Sequence, residues 1–215
     1  MKHLITSILL LTSVTISFAQ KSDPEAKKIL DAVSAKFKTF KSVQSKFSLK
    51  IENAAGKAVG TKTGTVYMKG GKYRVSVTGQ EIYSDGTNVT TYDKSTNEAT
   101  ITKLDPSTNT LTPQKIFTNF YDKDFLYKLN GESKSGTKTL QEIELTPIDK
   151  TKPFFKVLIY VDKVAKTISS VKIFQKTGER ITYSVTSFNG KAVLTDDMFT
   201  FDKSKYPGVE VVDLR

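Results

Sequence analysis

Few side chains in this sequence have the chemistry of a reactive centre. The chain has 215 residues, contains no Cys and no Trp, and has a single His, His3, close to its N-terminus. Zinc sites of the usual ligand types, Ser-His-Asp triads and Cys-His dyads all require residues that are missing after position 3. The candidates that remain for chemistry are pairs of carboxylates.

Glu142 and Glu144 form one such pair. Their spacing of two along a predicted strand places both on one face, where paired carboxylates are able to perform acid–base catalysis. Ile143 and Leu145 alternate with them and predict that the apolar face is the opposite one. We therefore expect both glutamates to face water.

Two pairs of aspartates are possible ligands of a hard cation. Asp122 with Asp124, and Asp196 with Asp197, lack the further oxygen ligands that Ca²⁺ requires. We predict no catalytic residue, no metal site and no cofactor. A Ser-Lys hydrolase remains a formal alternative, but no flanking pattern supports it.

The formal net charge is +11, and it comes almost entirely from lysine. Arg is limited to Arg74, Arg180 and Arg215. Proteins that recognise nucleic acid favour Arg, because its planar fork binds phosphate and guanine bidentately. We therefore predict no nucleic-acid partner and interpret the lysines either as a solvated surface or as a weak docking surface for acidic membranes or partners.

The N-terminus has the organisation of an export signal. Lys2 and His3 precede an apolar run from Leu4 to Ile16, and Ser17-Phe18-Ala19 fits a small-x-small cleavage site. The run is too short for a bilayer span, which needs about 20 residues. We predict a signal peptide over residues 1–19, one domain over residues 20–215, and a periplasmic protein without a lipid anchor of its own.

A helix is expected directly after this segment. Asp23 is a good N-cap, Pro24 suits the first helical position, and Glu25 favours the positive end of the helix dipole. Apolar residues then follow helical spacing along one stripe: Ala26, Ile29, Leu30, Val33, Phe37 and Phe40. The pattern predicts an amphipathic helix of about 17 residues.

Most of the remaining chain alternates between apolar and polar residues and predicts antiparallel strands with one wetted face. Asp85-Gly86 is a strong hairpin signal, to which we assign an architectural role only. A second, short helix is predicted from Thr112-Pro113, carrying Ile116, Phe117 and Phe120. Further along the chain, a turn is predicted over residues 130–136, a short strand over Phe199 to Asp202, and a tail over residues 206–215.

About ten strands present roughly 1,000 Å² of sheet per face, and the first helix covers about a quarter of that area. The sheet must therefore curl. We predict a mainly β protein with a few helices: an incomplete, half-open antiparallel β-barrel of about ten to eleven strands, lidded by the N-terminal amphipathic helix and the short central helix. A two-sheet sandwich competes, but it leaves that first helix unexplained.

The candidate binding residues are the apolar side chains predicted to point into this barrel. Alternation alone does not distinguish an ordinary filled core from an interior that admits an apolar ligand. The set comprises Leu30, Val33, Phe37, Phe47, Leu49, Ile51, Val66, Met68, Tyr73, Val75, Val77, Ile82, Val89, Ile116, Phe117, Phe120, Ile143, Leu145, Val157, Ile159, Ile173, Tyr183 and Val185.

Several motifs, in order, resemble the LolA family of periplasmic outer-membrane lipoprotein carriers in a Bacteroidetes-like version. The resemblance covers nearly the whole chain after the predicted signal peptide. The matching segments are Phe40 to Phe47, Gly64 to Lys69, Ile82 to Tyr92 with its Ser-Asp-Gly, Thr112-Pro113, Phe199 to Phe201, Pro207 to Val209, and the C-terminal Val-Val-Asp-Leu-Arg.

The resemblance implies a half-open barrel whose apolar interior binds the acyl chains of lipoproteins, without catalysis. It also implies the partners: acylated lipoproteins, the inner-membrane ABC transporter that releases them, and an outer-membrane acceptor or the membrane itself. We expect a monomer. Two alternatives stay open, a carrier of another lipid or apolar molecule on the same fold and a structural envelope module with a filled core.

One position departs from the family pattern. The family commonly has Arg-Pro after the Val-x-Lys stretch, and that Arg is linked to closing of the lid, whereas this chain has Gly70-Gly71. Arg74 is expected to point outward by alternation and is no substitute. Tyr67 and Tyr92 occupy positions where the family has Trp.

Overall fold

A computed structural model describes residues 22–104 and 121–215 of the protein. Its first helix, α1, spans Pro24–Lys38, two residues short of the predicted length. The Asp23 carboxylate caps the helix by accepting hydrogen bonds from the backbone N–H groups of Glu25 and Ala26. The predicted signal peptide lies outside the described residues.

Within residues 22–104 and 121–215, twelve strands form one sheet. In chain order they are β1 Ser42–Glu52, β2 Ala58–Lys69, β3 Lys72–Val77, β4 Gln80–Ser84, β5 Asn88–Asp93, β6 Glu98–Lys103, β7 Phe125–Ser135, β8 Lys138–Pro147, β9 Phe154–Asp162, β10 Thr167–Gln175, β11 Arg180–Asn189 and β12 Glu210–Asp213. A short helix, α2, spans Tyr121–Asp124, and 3₁₀ turns span Asp196–Phe199 and Lys203–Lys205.

The sheet has the order β12-β6-β5-β4-β3-β2-β1-β11-β10-β9-β8-β7. Every pair is antiparallel except β12 with β6, which is parallel. The terminal strands β12 and β7 are not paired with each other, so the barrel remains open. This topology confirms the predicted half-open β-barrel class, with twelve strands where ten to eleven were predicted.

Three local predictions need correction. The predicted turn over residues 130–136 is wrong, because β7 continues through it with a bulge between Leu129 and Gly131. The strand predicted over Phe199 to Asp202 is absent, and a 3₁₀ turn ends there instead. The last strand is β12, in the stretch that was interpreted as a tail.

Helix α1 packs on one face of the sheet, which we call the inner face. Its residues Ala26, Leu30 and Val33 join a buried cluster with β7, β8, β9 and β10. Because the Asp23 carboxylate also accepts a hydrogen bond from the N–H of Leu129 (3.0 Å), the start of the helix is fixed to β7. This bond and the capping bonds lower the pKa of Asp23.

Helix α2 is tied to α1 by polar contacts. The Tyr121 hydroxyl donates to a carboxylate oxygen of Asp31 at 2.7 Å, and Lys27 lies 3.1 Å from Asp31 and 3.2 Å from Asp122. The Tyr121 ring is buried in the cluster under α1. The two described helices therefore cover the same half of the inner face. The central helix predicted from Thr112-Pro113 lies outside the described residues.

The opposite, outer face is not wetted throughout, which corrects the prediction of one fully polar face. Residues 190–215 cross it and bury two apolar clusters over β2 to β6. One cluster contains Tyr67, Met198, Ala192, Leu194 and Phe199, and the other contains Tyr92, Ala99, Phe201, Tyr206, Val209 and Val211. Both tyrosines at the family's Trp positions thus anchor the C-terminal segment.

The Asp85-Gly86 hairpin has the predicted architecture. Gly86 adopts a φ of +93°, and the Asp85 carboxylate accepts hydrogen bonds from the N–H groups of Thr87 (2.8 Å) and Asn88 (2.7 Å). These contacts fix the register of β4 and β5, in which Ser84 lies opposite Val89.

Candidate functional site: the apolar inner face

Cross-strand register determines which side chains share the inner face. Residues directly opposite on neighbouring strands point to the same side. Phe47 of β1 lies opposite Val185 of β11 and Gly64 of β2, and Gly64 lies opposite Val77 of β3. The same pairing places every predicted strand residue of the candidate set on the inner face, as alternation predicted.

One half of this face is filled. Helices α1 and α2 cover β7 to β10, and Ile143 and Leu145 have no solvent exposure. The members of the candidate set that are buried, in this half or beside the end of α1, are Leu30, Val33, Val66, Met68, Tyr73, Ile143, Leu145, Val157 and Ile159. Between α1 and the start of β10 the remaining cavity has about 10 Å³, room for about one water molecule.

The other half is open. Here exposure increases along the strands toward the turns that join β1 to β2, β3 to β4 and β10 to β11. The half-exposed members of the candidate set are Phe37, Phe47, Leu49, Ile51, Val75, Val77, Ile82, Val89, Ile173 and Val185. Among the described members of the set, Tyr183 is the most exposed, at 38%. We call these residues together the open apolar surface.

Three predicted residues, Ile116, Phe117 and Phe120, lie outside the described residues. Apolar residues on the inner face that the candidate set missed include Phe40, Val43, Phe125, Tyr127, Leu129, Phe154, Val161, Ile168, Val171, Ile181 and Phe188. Ile181 shares the alternation of Tyr183 and Val185, so the sequence pattern contained it. Phe188 does not, because a bulge between Lys46 and Phe47 shifts the register of β1 with β11.

The inward positions of the open apolar surface on β1, β3, β10 and β11 are aliphatic, aromatic or hydroxyl-bearing. Charged residues border it on the same face: Lys62 of β2 lies opposite Leu49, and Asp93 of β5 lies opposite Gln80. The buried hydroxyl of Ser45 donates to the carbonyl of Ser187 at 3.0 Å, and burial raises the pKa of Tyr73, which remains neutral. The apolar inward positions suit an apolar ligand.

The candidate carboxylate pairs form polar contacts elsewhere. Glu142 and Glu144 lie on the outer face, half-buried, and both accept hydrogen bonds from the Asn130 side chain. Asp122 pairs with Lys27 as described above. Asp196 lies 2.9 Å from Lys69 Nζ and 3.2 Å from Lys72 Nζ. Within residues 22–104 and 121–215, no cluster of three or more acidic or His side chains has the arrangement of a metal site.

Gly70 and Gly71 form the turn between β2 and β3, at the position where the family has Arg-Pro. Gly70 has a φ of +57°, which favours glycine. Arg74 points outward, as predicted, and its guanidinium donates two hydrogen bonds to one oxygen of buried Glu81 (3.0 and 3.1 Å). It therefore stabilises the covered outer face and does not reach α1.

A close approach between Phe47 and Gly64 shapes the open apolar surface. A Cβ at Gly64 would lie 2.5 Å from Cζ of Phe47 and 2.6 Å from the carbonyl oxygen of Ser76. The tip of the aromatic ring therefore lies close against the backbone of β2, where only glycine leaves room for it.

Substitution of Gly64 by Ala is expected to destabilise the protein by about 1–3 kcal/mol, because the ring and the β3 backbone must both move. Gly60→Ala is the matched control on the same strand, since a Cβ there meets no atom within 4 Å. Chemical denaturation measures both variants. Equal stability of Gly64→Ala and Gly60→Ala would contradict the close packing of Phe47.

No helix among the described residues is long and apolar enough to span a membrane. The fold resembles a solved structure of an uncharacterised conserved protein from Thermus thermophilus, with a TM-score of 0.60 and 14% identity, covering 88% of this chain and 99% of that one. At this identity the likeness shows the fold alone.

Sequence comparison is more specific. Over 162 residues the chain is 29% identical to the outer-membrane lipoprotein carrier protein of Cupriavidus necator, covering 73% of this chain and 74% of that protein. The model of the family described as outer membrane lipoprotein carrier protein LolA matches residues 38–202. The matched residues include β1 to β11, which carry all of the open apolar surface except Phe37 at the end of α1. The chain therefore belongs to the LolA family.

Proposed function

We propose that this protein carries acylated lipoproteins through the periplasm by holding their acyl chains against the open apolar surface. The observation that carries the proposal is the apolar, partly exposed character of the inward positions on β1, β3, β4, β10 and β11. A contiguous apolar surface that is not fully buried is a candidate binding site. Membership of the LolA family makes a lipid-linked protein the favoured occupant.

The binding free energy would come from removing acyl methylenes from water, at about 0.8 kcal/mol for each one buried. A contact of this kind is non-directional, so different lipoproteins bind through their shared lipid part. Release then requires an acceptor that buries the same chains equally well, either a membrane or a receptor protein. No bond is made or broken, and the protein acts as a monomeric carrier and not as an enzyme.

Within this proposal, an inner-membrane ABC transporter supplies the cargo and the outer membrane or an acceptor in it receives the cargo. Export by the predicted signal peptide over residues 1–19 places the carrier between the two. The filled half of the inner face has a structural role: it holds α1 rigidly, so the cargo contacts only the open half.

Mass spectrometry of the protein purified from the periplasm tests the proposal. We expect a bound molecule that, after proteolysis, leaves an acylated N-terminal peptide. Delipidated protein, incubated with a purified triacylated lipoprotein, should recover the same complex. Recovery of only free lipid or pigment would contradict a lipoprotein cargo and favour a carrier of another apolar molecule. Failure to bind any apolar molecule would favour a structural envelope module.

A further inference from the structure

A second surface with binding character lies on the outer face, beyond the area that residues 190–215 cover. It is formed by neighbouring positions on β1, β11, β10 and β9: Glu52 lies opposite Arg180, Arg180 opposite Phe174, and Phe174 opposite Lys156. Together with the adjacent row, these residues make up what we call the basic patch: Lys50, Glu52, Phe155, Lys156, Lys172, Phe174 and Arg180.

Three cations converge on one aromatic ring in this patch. Relative to the ring centroid of Phe174, Lys156 Nζ lies at 4.6 Å, Lys172 Nζ at 5.6 Å and the guanidinium carbon of Arg180 at 6.0 Å. Cation–π attraction favours the position of each group over the ring face. The arrangement concentrates positive charge around an apolar centre on the sheet surface.

The patch contains one carboxylate for four cations. Buried Glu52 lies 3.0 Å from Lys50 Nζ and 3.3 Å from Lys172 Nζ, so two lysines share one partner. The patch therefore has a formal excess of positive charge, and cations held close together repel each other unless an anion approaches. An external anionic surface would relieve this repulsion.

An exposed aromatic side chain accompanies the charge. Phe155 is 50% exposed, and its ring centroid lies 6.1 Å from that of Phe174. Lysines beside an exposed Phe form the combination that favours the interface of an anionic membrane, where the ring enters the acyl boundary and the ammonium groups remain among the headgroups. An acidic protein would satisfy the charges but would not require the exposed ring.

We propose that the basic patch docks this protein on membranes that contain anionic phospholipid. The inference is independent of the cargo, because the patch and the open apolar surface lie on opposite faces. The two are nevertheless adjacent along the strands: Ile51 precedes Glu52, and Ile173 precedes Phe174. Docking would therefore hold the open end of the inner face close to a lipid surface.

Co-sedimentation with vesicles tests the proposal with the purified protein. Binding to mixed phosphatidylcholine–phosphatidylglycerol vesicles should exceed binding to phosphatidylcholine alone and should weaken as salt is added. Each lysine near an anionic surface contributes a factor of about five, so Lys156→Gln/Lys172→Gln should weaken binding roughly 30-fold. Phe155→Ser should also weaken it. Lys28→Gln/Lys203→Gln, with the same net charge change outside the patch, should change it little.

Several outcomes would overturn the proposal. Equal binding of the wild-type protein to vesicles with and without phosphatidylglycerol would overturn it. An equal loss of vesicle binding in Lys156→Gln/Lys172→Gln and in Lys28→Gln/Lys203→Gln would also overturn it. If the protein is retained on poly-glutamate but does not bind anionic vesicles, the partner of the basic patch is an acidic protein and not a lipid surface. None of these results depends on whether a lipoprotein is the cargo.

Discussion

Replacing Val75 by Glu should severely weaken the binding of acyl chains and leave the protein folded. Val75 is half-exposed on the inner face of β3, opposite Val66 on β2 and Ile82 on β4. In the free protein the new carboxylate reaches water. With an acyl chain in place it would be covered without a partner, which costs several kcal/mol. We expect affinity to fall by about two orders of magnitude or more.

Titration of delipidated protein with a fluorescent fatty acid measures this effect, and circular dichroism monitors the fold. Thr63→Glu is the matched control: Thr63 precedes Gly64 on β2, points to the outer face and is exposed, so it gains the same charge outside the proposed site. A folded Val75→Glu variant with unchanged affinity would refute the role of the open apolar surface. An unfolded variant would indicate that this half of the face is also a filled core.

Truncating Leu145 to Ala should destabilise the protein by about 2–5 kcal/mol, the range for a leucine deleted from a packed core. Leu145 has no solvent exposure and lies under α1 among the residues of β7 and β9. The cavity left behind is enclosed by packed neighbours and collapses only in part. Urea denaturation, with the midpoint and the m-value both fitted, measures the loss.

Leu49→Ala provides the contrast on the open half. Leu49 is half-exposed, opposite Tyr183 on β11, so we expect a smaller loss of stability and a larger loss of acyl-chain affinity than for Leu145→Ala. The two variants together separate the structural half of the inner face from the binding half. Equal stability losses, or a stronger binding defect in Leu145→Ala, would contradict this division.

The sequence by itself predicted the first helix, most of the strands and the side of each strand that points inward. Alternation of Phe47, Leu49 and Ile51 with polar residues predicted both a strand and its inward side, because side chains of a strand alternate with a period of two. Asp23 and Pro24 predicted the start of α1, because capping depends on neighbouring residues only. Composition excluded the common catalytic constellations, and ordered motifs indicated the LolA family.

Tertiary structure alone decided which part of the inner face is filled. Leu145 and Leu49 follow the same alternation, yet α1 covers one and leaves the other half-exposed. Two further features were not predicted: residues 190–215 cover part of the outer face, and a register shift between β1 and β11 brings Phe188 to the inner face. The period-two alternation of a strand predicts the face to which each side chain points. Burial depends on contacts between residues far apart in the chain, and no local pattern contains them.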